Sequence, residues 1–446
     1  MTDPTPATPA RKFPLLAIIG PGVLVAATGV GAGDIATASI AGSMLGVAIL
    51  WAAGFGATLK FVLTECLARW QIATQRTILE GAMLHLGWFA FIAFVIYLVP
   101  WTFVTCAALI NACGVFAGAM IPYNVSGLEP NIEKIIFGIA SSLVGLILVW
   151  FGGYKLFARV MTVAVGIMFA CVITTAIMLK PDPVSIVSGL LPISLPQWDT
   201  GGLTRTIAYM GGVGGTLTII CYSYWMRESG RTTKAHLRIA RIDALIAYTL
   251  SALFGIAVVI IASKAQGSGS GSALITSMGD VLEQSIGPTG KYIFLGGAFA
   301  AAFSSVLGVW QSVPYIYADV WRLRNHVGKG ESAGELPPVD TKSRVYKATL
   351  LLIATVPMLG VLFKFNDIQL IYAFIGAFFI PGLALACLIL TSRKSLIGGR
   401  YTSSILTKCV LVLAIVFFTV AGTLEVKNKL GKRSKQAETP AQSPAN

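Results

Sequence analysis

The feature that most constrains this chain is a glycine-rich run that ends in a carboxylate, residues 29–34 (GVGAGD), in the middle of an apolar segment. Glycine weakens a helix, and a buried carboxylate is costly in hydrocarbon. A membrane helix can be broken there only where other protein or a water-filled cavity covers the freed backbone. The run therefore predicts a broken helix around an internal site.

A second glycine-rich run, residues 211–216 (GGVGGT), interrupts a later apolar segment. Its residues 212–215 resemble residues 29–33. This similarity indicates two repeats, which cover residues 14–180 and 203–393. Interrupted apolar segments in corresponding places of two halves are the best sequence pointer to a transporter site at the bilayer midplane.

The composition is typical of a polytopic membrane protein: 55% of the 446 residues are hydrophobic, 12% are charged, and the mean hydropathy is +0.77. Runs of about 20 apolar residues predict an all-α fold of about eleven transmembrane helices, with the first and sixth broken. Ten of them form the two repeats, and the eleventh is an addition. The predicted spans are 14–44, 46–70, 88–120, 133–152, 156–179, 203–227, 238–263, 289–321, 344–364, 367–392 and 404–424.

The pattern of basic residues predicts the orientation of the chain. They concentrate in alternate loops, which places the N-terminus in the cytoplasm and the protein in the plasma or inner membrane. Residues 1–13 and the basic tail 425–446 flank the transmembrane domain 14–424 and are expected to be disordered. The net charge of +14 follows the loops and the tail, so nucleic acid is not an expected partner. The expected partners are the bilayer and a small ion, and the expected state is a monomer.

The two breaks contain the candidate site. A broken helix leaves free N–H groups at one half-helix end and free carbonyls at the other, and carbonyls with a carboxylate bind cations. Asp34 therefore predicts a site for a cation or for a cationic group on a substrate. Two structural roles stay open, because glycine also serves close helix packing and Asp34 also suits a cap on the second half-helix. The other candidate binding residues are Gly31, Thr37, Gly215, Thr218 and Tyr222.

Residues 20–37, from GPGVLV to GDIAT, resemble the first helix of the Nramp family of divalent-metal transporters. Three further stretches resemble the same family: 68–74 (ARWQIAT), 155–182 and 379–394. The resemblance covers nearly all of residues 14–424. It implies the LeuT-type fold, an inverted repeat of five plus five helices, and a metal-transport function.

The metal-binding motifs of that family are matched less closely. Residues 31–34 (GAGD) stand where the family has Asp-Pro-Gly-Asn, so Asp34 replaces an asparagine. Residues 218–220 stand where it has Met-Pro-His, so the hydroxyl of Thr218 replaces a thioether. A metal held by Asp34, Thr218 and carbonyls has oxygen ligands alone, which suits Mg²⁺ or Mn²⁺. The histidine is lost and a family glutamate aligns with Asn111, a further coupling candidate, which leaves proton coupling of the family type open.

Lys60, Glu65 and a serine pair are candidates for coupling transport to a second ion, Na⁺ or H⁺. Lys60 lies in the middle of the second span, where a lysine needs a partner or a route to the interface. It is predicted to pair with Asp34 or Glu65 as a fixed positive charge, or else to reach the cytoplasmic end of its helix. Ser304 and Ser305 fall where LeuT-type transporters place a sodium site between helices eight and one, although a serine pair also serves helix packing.

The predicted function is secondary active transport of a divalent metal cation by alternating access, without a resident cofactor. One alternative is transport of a small organic cation or amino acid, with Tyr222, Tyr224 and Trp225 lining the pocket by cation–π contact. Another is a non-transporting sensor or receptor that kept the fold. The sequence contains no enzyme signature, since its three histidines lie in no catalytic motif and it has no phosphate-binding loop.

Overall fold

The computed structural model describes residues 20–121, 127, 129–192, 202–265, 272–327 and 339–438, and this part of the chain is helical without a β-strand. The predicted N-terminal segment 1–13, the start of the first span and residues 439–446 of the tail lie outside the described residues. The α-helices are α1 (Pro21–Gly29), α2 (Ala32–Leu45), α3 (Leu50–Thr74), α4 (Ile78–Ala119), α5 (Pro130–Met178), α6 (Pro183–Gly189), α7 (Gly202–Gly212), α8 (Cys221–Glu228), α9 (Leu237–Ser263), α10 (Ser272–Ile286), α11 (Pro288–Val327), α12 (Arg344–Thr355), α13 (Phe365–Ser392), α14 (Lys394–Ile397) and α15 (Ile405–Glu438). Short 3₁₀ segments occur at Gly46–Ile49, Leu217–Ile220, Lys234–His236, Val356–Leu362 and Gly399–Tyr401.

Seven helical stretches of the described chain are long and apolar enough to cross a membrane, in agreement with the predicted all-α multi-pass fold. The total of eleven crossings stays a prediction. α5 is 49 residues long, about 74 Å, whereas the hydrocarbon core of a bilayer is about 30 Å thick. Gly153 interrupts α5 with non-helical torsion angles (φ 60°, ψ −178°) and separates the predicted spans 133–152 and 156–179.

Both predicted helix breaks are confirmed. α1 ends at Gly29, and a short gap separates it from α2. α7 ends at Gly212, and the chain resumes with the 3₁₀ turn Leu217–Ile220 before α8 begins. Gly214 and Gly215 have φ values of 75° and 85°, which residues with a side chain rarely adopt, so the second break depends on glycine.

Two elements differ from the sequence prediction. α10 has mixed polar and apolar residues and forms no continuous apolar run, so the sequence pattern does not predict it. α15 continues to Glu438, whereas the sequence predicts a span that ends at residue 424 and a disordered tail after it. Residues 425–438 therefore continue the last helix. This segment has four lysines and two glutamates, which favour a helix, and contains no proline.

α1 lies deep in the bundle, where all of its residues are buried. Small residues allow α11 to approach both ends of the first break. A Cβ on Gly308 of α11 would come closer than 3.0 Å to the side chain of Thr28, and a Cβ on Gly31 would come equally close to Ser305. Close helix packing therefore accounts for part of the glycine content, beside any role in a site.

Candidate functional site

The two helix breaks lie against each other in the middle of the bundle. A Cβ on Gly29 would come closer than 3.0 Å to the backbone of Gly214, so backbone touches backbone at this point. A Cβ on Gly215 would lie 2.9 Å from Thr218 Oγ1. The gap after α1, the gap after α7 and the start of the following 3₁₀ turn therefore share one small volume.

Asp34 lies in the first turn of α2 and is 1% exposed. Its Oδ2 accepts a hydrogen bond of 3.4 Å from the backbone N–H of Gly214, across the junction of the two breaks. Its Oδ1 has no hydrogen-bond partner among the described residues. Leaving a buried carboxylate oxygen without a partner costs free energy, so this atom is available to a cation or an ammonium group.

Two of the predicted polar residues border the breaks, and a third does not. Thr37 donates to the backbone oxygen of Gly33 at 2.7 Å, and its hydroxyl packs against the end of α7. Thr218 is buried in the 3₁₀ turn that follows the second break. The hydroxyl of Tyr222 instead contacts α9, where it donates to the backbone oxygen of Ala240 at 2.9 Å and to Asp243 at 3.2 Å.

Lys60 of α3 is fully buried, and its ammonium contacts carbonyls where the sequence predicts a carboxylate. It donates to the backbone oxygens of Gly211, at 2.7 Å, and of Val213. No ion pair within 4.0 Å joins it to Asp34 or Glu65 in the described part of the chain, and Glu65 pairs with two arginines. A direct ion pair is therefore not observed, because the carbonyls freed at the end of α7 lie within reach and take the ammonium donors.

Ser304 and Ser305 of α11 form hydrogen bonds with the end of α1. Ser304 Oγ donates to the backbone oxygen of Ala27 at 3.1 Å, and Ser305 Oγ donates to that of Thr28 at 3.0 Å. These carbonyls lie at the first break, where α1 ends. In this arrangement the hydroxyls act as donors that hold two helices together, and a role as ligands of a sodium ion stays a prediction.

Asn111 lies on α4 beside the segment that precedes α13. Its Nδ2 donates to the backbone oxygens of Gly360, at 3.3 Å, and Phe363, at 3.0 Å. Its Oδ1 has no partner among the described residues. The observed contacts of Asn111 are thus with the 3₁₀ segment Val356–Leu362 and its end.

Two aromatic residues that the sequence analysis did not single out also border the breaks. Trp101 of α4 donates its indole N–H to Thr216 Oγ1 at 3.2 Å. The ring of Tyr372 of α13 packs so closely on Gly33 that a Cβ there would approach it to less than 3.0 Å. Aromatic residues in apolar spans are common, so only the small size of Gly33 and the polarity of Thr216 hint at these contacts in the sequence.

Asp243 of α9 holds the start of α1. Its Oδ1 accepts a hydrogen bond from the N–H of Gly20 at 3.2 Å, and its Oδ2 accepts one from Gly22 at 2.7 Å. Arg231 pairs with the same carboxylate at 3.0 Å. The free N–H groups at a helix start need such an acceptor. We call the end of the bundle formed by Gly20, Arg231, Asp243 and the residues around α8 the N-terminal face.

The three rings predicted to line an amine pocket belong to this face. Besides Tyr222, the hydroxyl of Tyr224 donates to Asp319 at 2.6 Å, and the indole N–H of Trp225 donates to Gln311 at 2.5 Å. Both acceptors lie on α11. The polar atoms of these three rings therefore join α8 to its neighbours.

A helical bundle with two broken helices that meet at its centre is typical of LeuT-type membrane transporter folds. A sequence profile described as natural resistance-associated macrophage protein-like (Nramp) matches residues 22–426. The chain belongs to the Nramp family, and the resemblance seen in its motifs is confirmed. No curated protein sequence matches the chain.

Solved structures share the fold at low sequence identity. A manganese transporter of Eremococcus coleocola, in complex with an aromatic bis-isothiourea substituted compound, has a TM-score of 0.71 and 13% identity, over 99% of this chain and 91% of that one. MhsT in complex with L-phenylalanine has a TM-score of 0.61 and 15% identity, over 90% and 97% of the two chains. Mhp1, a nucleobase-cation-symport-1 family transporter, has a TM-score of 0.56 and 13% identity, over 96% and 95%.

Proposed function

We propose that this protein transports a divalent metal cation across a membrane by alternating access, with the site at the junction of the two helix breaks. Membership of the Nramp family supports transport, and the similar fold of a manganese transporter supports a metal as the substrate. The single observation that carries the proposal is Asp34, whose Oδ2 bonds to the junction at Gly214 and whose buried Oδ1 has no partner among the described residues.

The proposed ligands are all oxygen atoms. Asp34 supplies the charge, Thr218 supplies a hydroxyl, and backbone carbonyls near Gly31 and Gly215 complete the shell. The described residues hold no group of three or more histidine, cysteine, aspartate or glutamate side chains that would form a stronger cage. Oxygen ligands favour Mg²⁺ and Mn²⁺ over soft metals, and an ion that keeps some of its water needs fewer protein ligands.

The proposed setting is a cell membrane, with a cytoplasmic N-terminus and a protein that works as a monomer. The distribution of basic residues supports this orientation. On this orientation the N-terminal face is cytoplasmic, and its contacts form the closed gate on that side.

The test is uptake of Mn²⁺ and of Mg²⁺ into liposomes that contain the purified protein. Asp34→Ala is expected to abolish uptake, because it removes the charge that holds the ion. Asp367→Ala is the matched control, since this exposed carboxylate lies in the first turn of α13 and takes no part in the site. The control is expected to match the unmodified protein.

Two results would contradict the proposal. Uptake that persists in Asp34→Ala would move the site away from the first break. No uptake of either ion by folded protein would discard metal transport, and amines and amino acids would then be tested as substrates of the same fold. Absence of transport for those as well would leave the sensor or receptor hypothesis.

A further inference from the structure

Lys60 is a buried charge that the metal-transport proposal does not use. It has 0% exposure and lies far from either end of the 25-residue helix α3. Charged residues inside a membrane bundle are costly and rarely lack a function. Gly56, one turn before Lys60, allows the approach of the two helices, because a Cβ there would lie 2.9 Å from the backbone oxygen of Met210 in α7. This contact brings the lysine to the end of α7.

The acceptors of Lys60 are carbonyls that the second break has freed. α7 ends at Gly212, so the oxygens of Gly211 and Val213 no longer lie in a continuing helix. The backbone N–H of Gly215 bonds to Gly212 at 3.2 Å, which leaves the Gly211 oxygen to the ammonium. A helix C-terminus is also the negative end of the helix dipole, and unwound carbonyls at such an end bind small cations in this class of transporter.

One peptide group connects this ammonium with the site carboxylate. Lys60 donates to the oxygen of Val213, and the N–H of Gly214, which belongs to the same peptide group, donates to Asp34 Oδ2 at 3.4 Å. The two opposite charges thus lie at the two poles of one peptide dipole. Lys60 favours the orientation in which the carbonyl of Val213 points toward the ammonium, and Asp34 favours the one in which the N–H of Gly214 points toward the carboxylate. A single orientation of the peptide satisfies both charges, so the conformation of the break depends on both.

We propose that the Lys60 ammonium is a built-in cation that fills the carbonyl end of the second helix break and orients the Val213–Gly214 peptide toward Asp34. A monovalent metal ion is then not needed at this position, because the protein carries the equivalent charge on a side chain. Removal of the side chain leaves a space lined by the oxygens of Gly211 and Val213. Small monovalent cations are expected to enter that space and restore the contacts. This role does not depend on which substrate the protein carries.

The experiment measures the thermal unfolding midpoint of purified protein in detergent against added cation. The variant Lys60→Ala is expected to unfold at a lower temperature than the unmodified protein. Methylammonium, Na⁺ or K⁺ is expected to raise the variant's midpoint by about 3 °C or more, in a saturable way, because a ligand that binds only the folded state stabilises it. Choline at the same ionic strength is too large to enter and serves as the salt control.

Lys264→Ala is the matched control variant, because this lysine is exposed at the end of α9. It and the unmodified protein are expected to show no cation-specific rise. An equal rise in all three proteins, or none in Lys60→Ala, would overturn the proposal.

Lys60→Gln keeps an N–H donor without the charge and covers the case in which Lys60→Ala does not fold. It is expected to fold and to unfold below the unmodified protein. A midpoint equal to that of the unmodified protein would show that the charge is not needed and would overturn the proposal. Because the readout is unfolding, a failure of metal transport leaves the result unaffected.

Discussion

At the scale of single residues, two features define the proposed site: an unpartnered carboxylate oxygen and the absence of a sulfur ligand. Asp34 has one carboxylate oxygen without a partner among the described residues, and Thr218 stands where the family motif has the methionine thioether. The proposed shell is therefore made of oxygen atoms. Ion selectivity is expected to follow from this chemistry, because sulfur ligands retain soft metals and oxygen ligands retain hard ones.

Thr218→Met tests that selectivity directly. The thioether is expected to raise uptake of Cd²⁺ several-fold relative to Mn²⁺, because Cd²⁺ is the softer ion. The measurement is competition between the two ions for uptake into liposomes. Thr218→Val is the control, since it removes the hydroxyl without adding sulfur and is expected to lower uptake of both ions. An unchanged Cd²⁺ to Mn²⁺ ratio in Thr218→Met would mean that this side chain does not contact the ion.

At the scale of helices, the position of the broken pair α1 and α2 depends on close contact with α11. The serine pair donates to the last carbonyls of α1, and Gly308 gives Thr28 the room it occupies. The glycines and serines that suggested a site in the sequence also hold the half-helix in place. Both roles follow from one physical fact, that small residues let backbones approach closely.

Gly308→Ala is expected to separate α11 from α1, because the added Cβ would overlap the side chain of Thr28. Overpacking of this kind typically costs about 1–3 kcal/mol, and the thermal unfolding midpoint is expected to fall by several degrees. Gly296→Ala, on the same helix, meets no atom within 4 Å and serves as the control. It is expected to be neutral or stabilising, since alanine favours a helix over glycine. Equal midpoints for the two variants would show that α1 and α11 can separate at no cost.

At the scale of the whole molecule, the N-terminal face is closed by contacts between α8 and α11. Tyr224 of α8 donates to Asp319 of α11, and Tyr315 of α11 donates to Glu228 of α8. Opening of this face in an alternating-access cycle has to break both contacts. Cys221, the first residue of α8, has 0% exposure and lies 3.9 Å from the backbone oxygen of Ser312 on α11, so it reports the separation of the two helices.

The double variant Tyr224→Phe/Tyr315→Phe is expected to open this face more often. Each lost hydrogen bond of about 1 kcal/mol shifts the equilibrium roughly fivefold, so labelling of Cys221 by a maleimide is expected to accelerate. The measurement uses protein in which the other cysteines are replaced by alanine. Tyr97→Phe is the control, because it removes a hydroxyl that bonds to Ile375, away from the N-terminal face. Identical labelling rates in the double variant and the control would exclude these contacts as a gate.

The sequence by itself determined the all-α membrane fold, the two broken helices and the family. These follow from local properties: apolar runs of membrane-spanning length, glycine inside them and motifs at fixed spacing. It also singled out Asp34 and Lys60, because charge inside such a run is rare. The end of the last helix differs from the prediction, since the same polar residues suit a solvated helix and a disordered tail.

Only the tertiary structure decided which groups meet. The sequence predicts a carboxylate partner for Lys60, yet the ammonium lies at the carbonyls of Gly211 and Val213. It predicts that Tyr222 lines the substrate site, yet its hydroxyl contacts Asp243. Side chains on different helices are brought together by the packing of whole helices. Every residue has a backbone carbonyl, so the identity of a residue does not show which carbonyl is free to accept a hydrogen bond. The partners of a buried charge are therefore settled by the distances between helices that no single stretch of residues specifies.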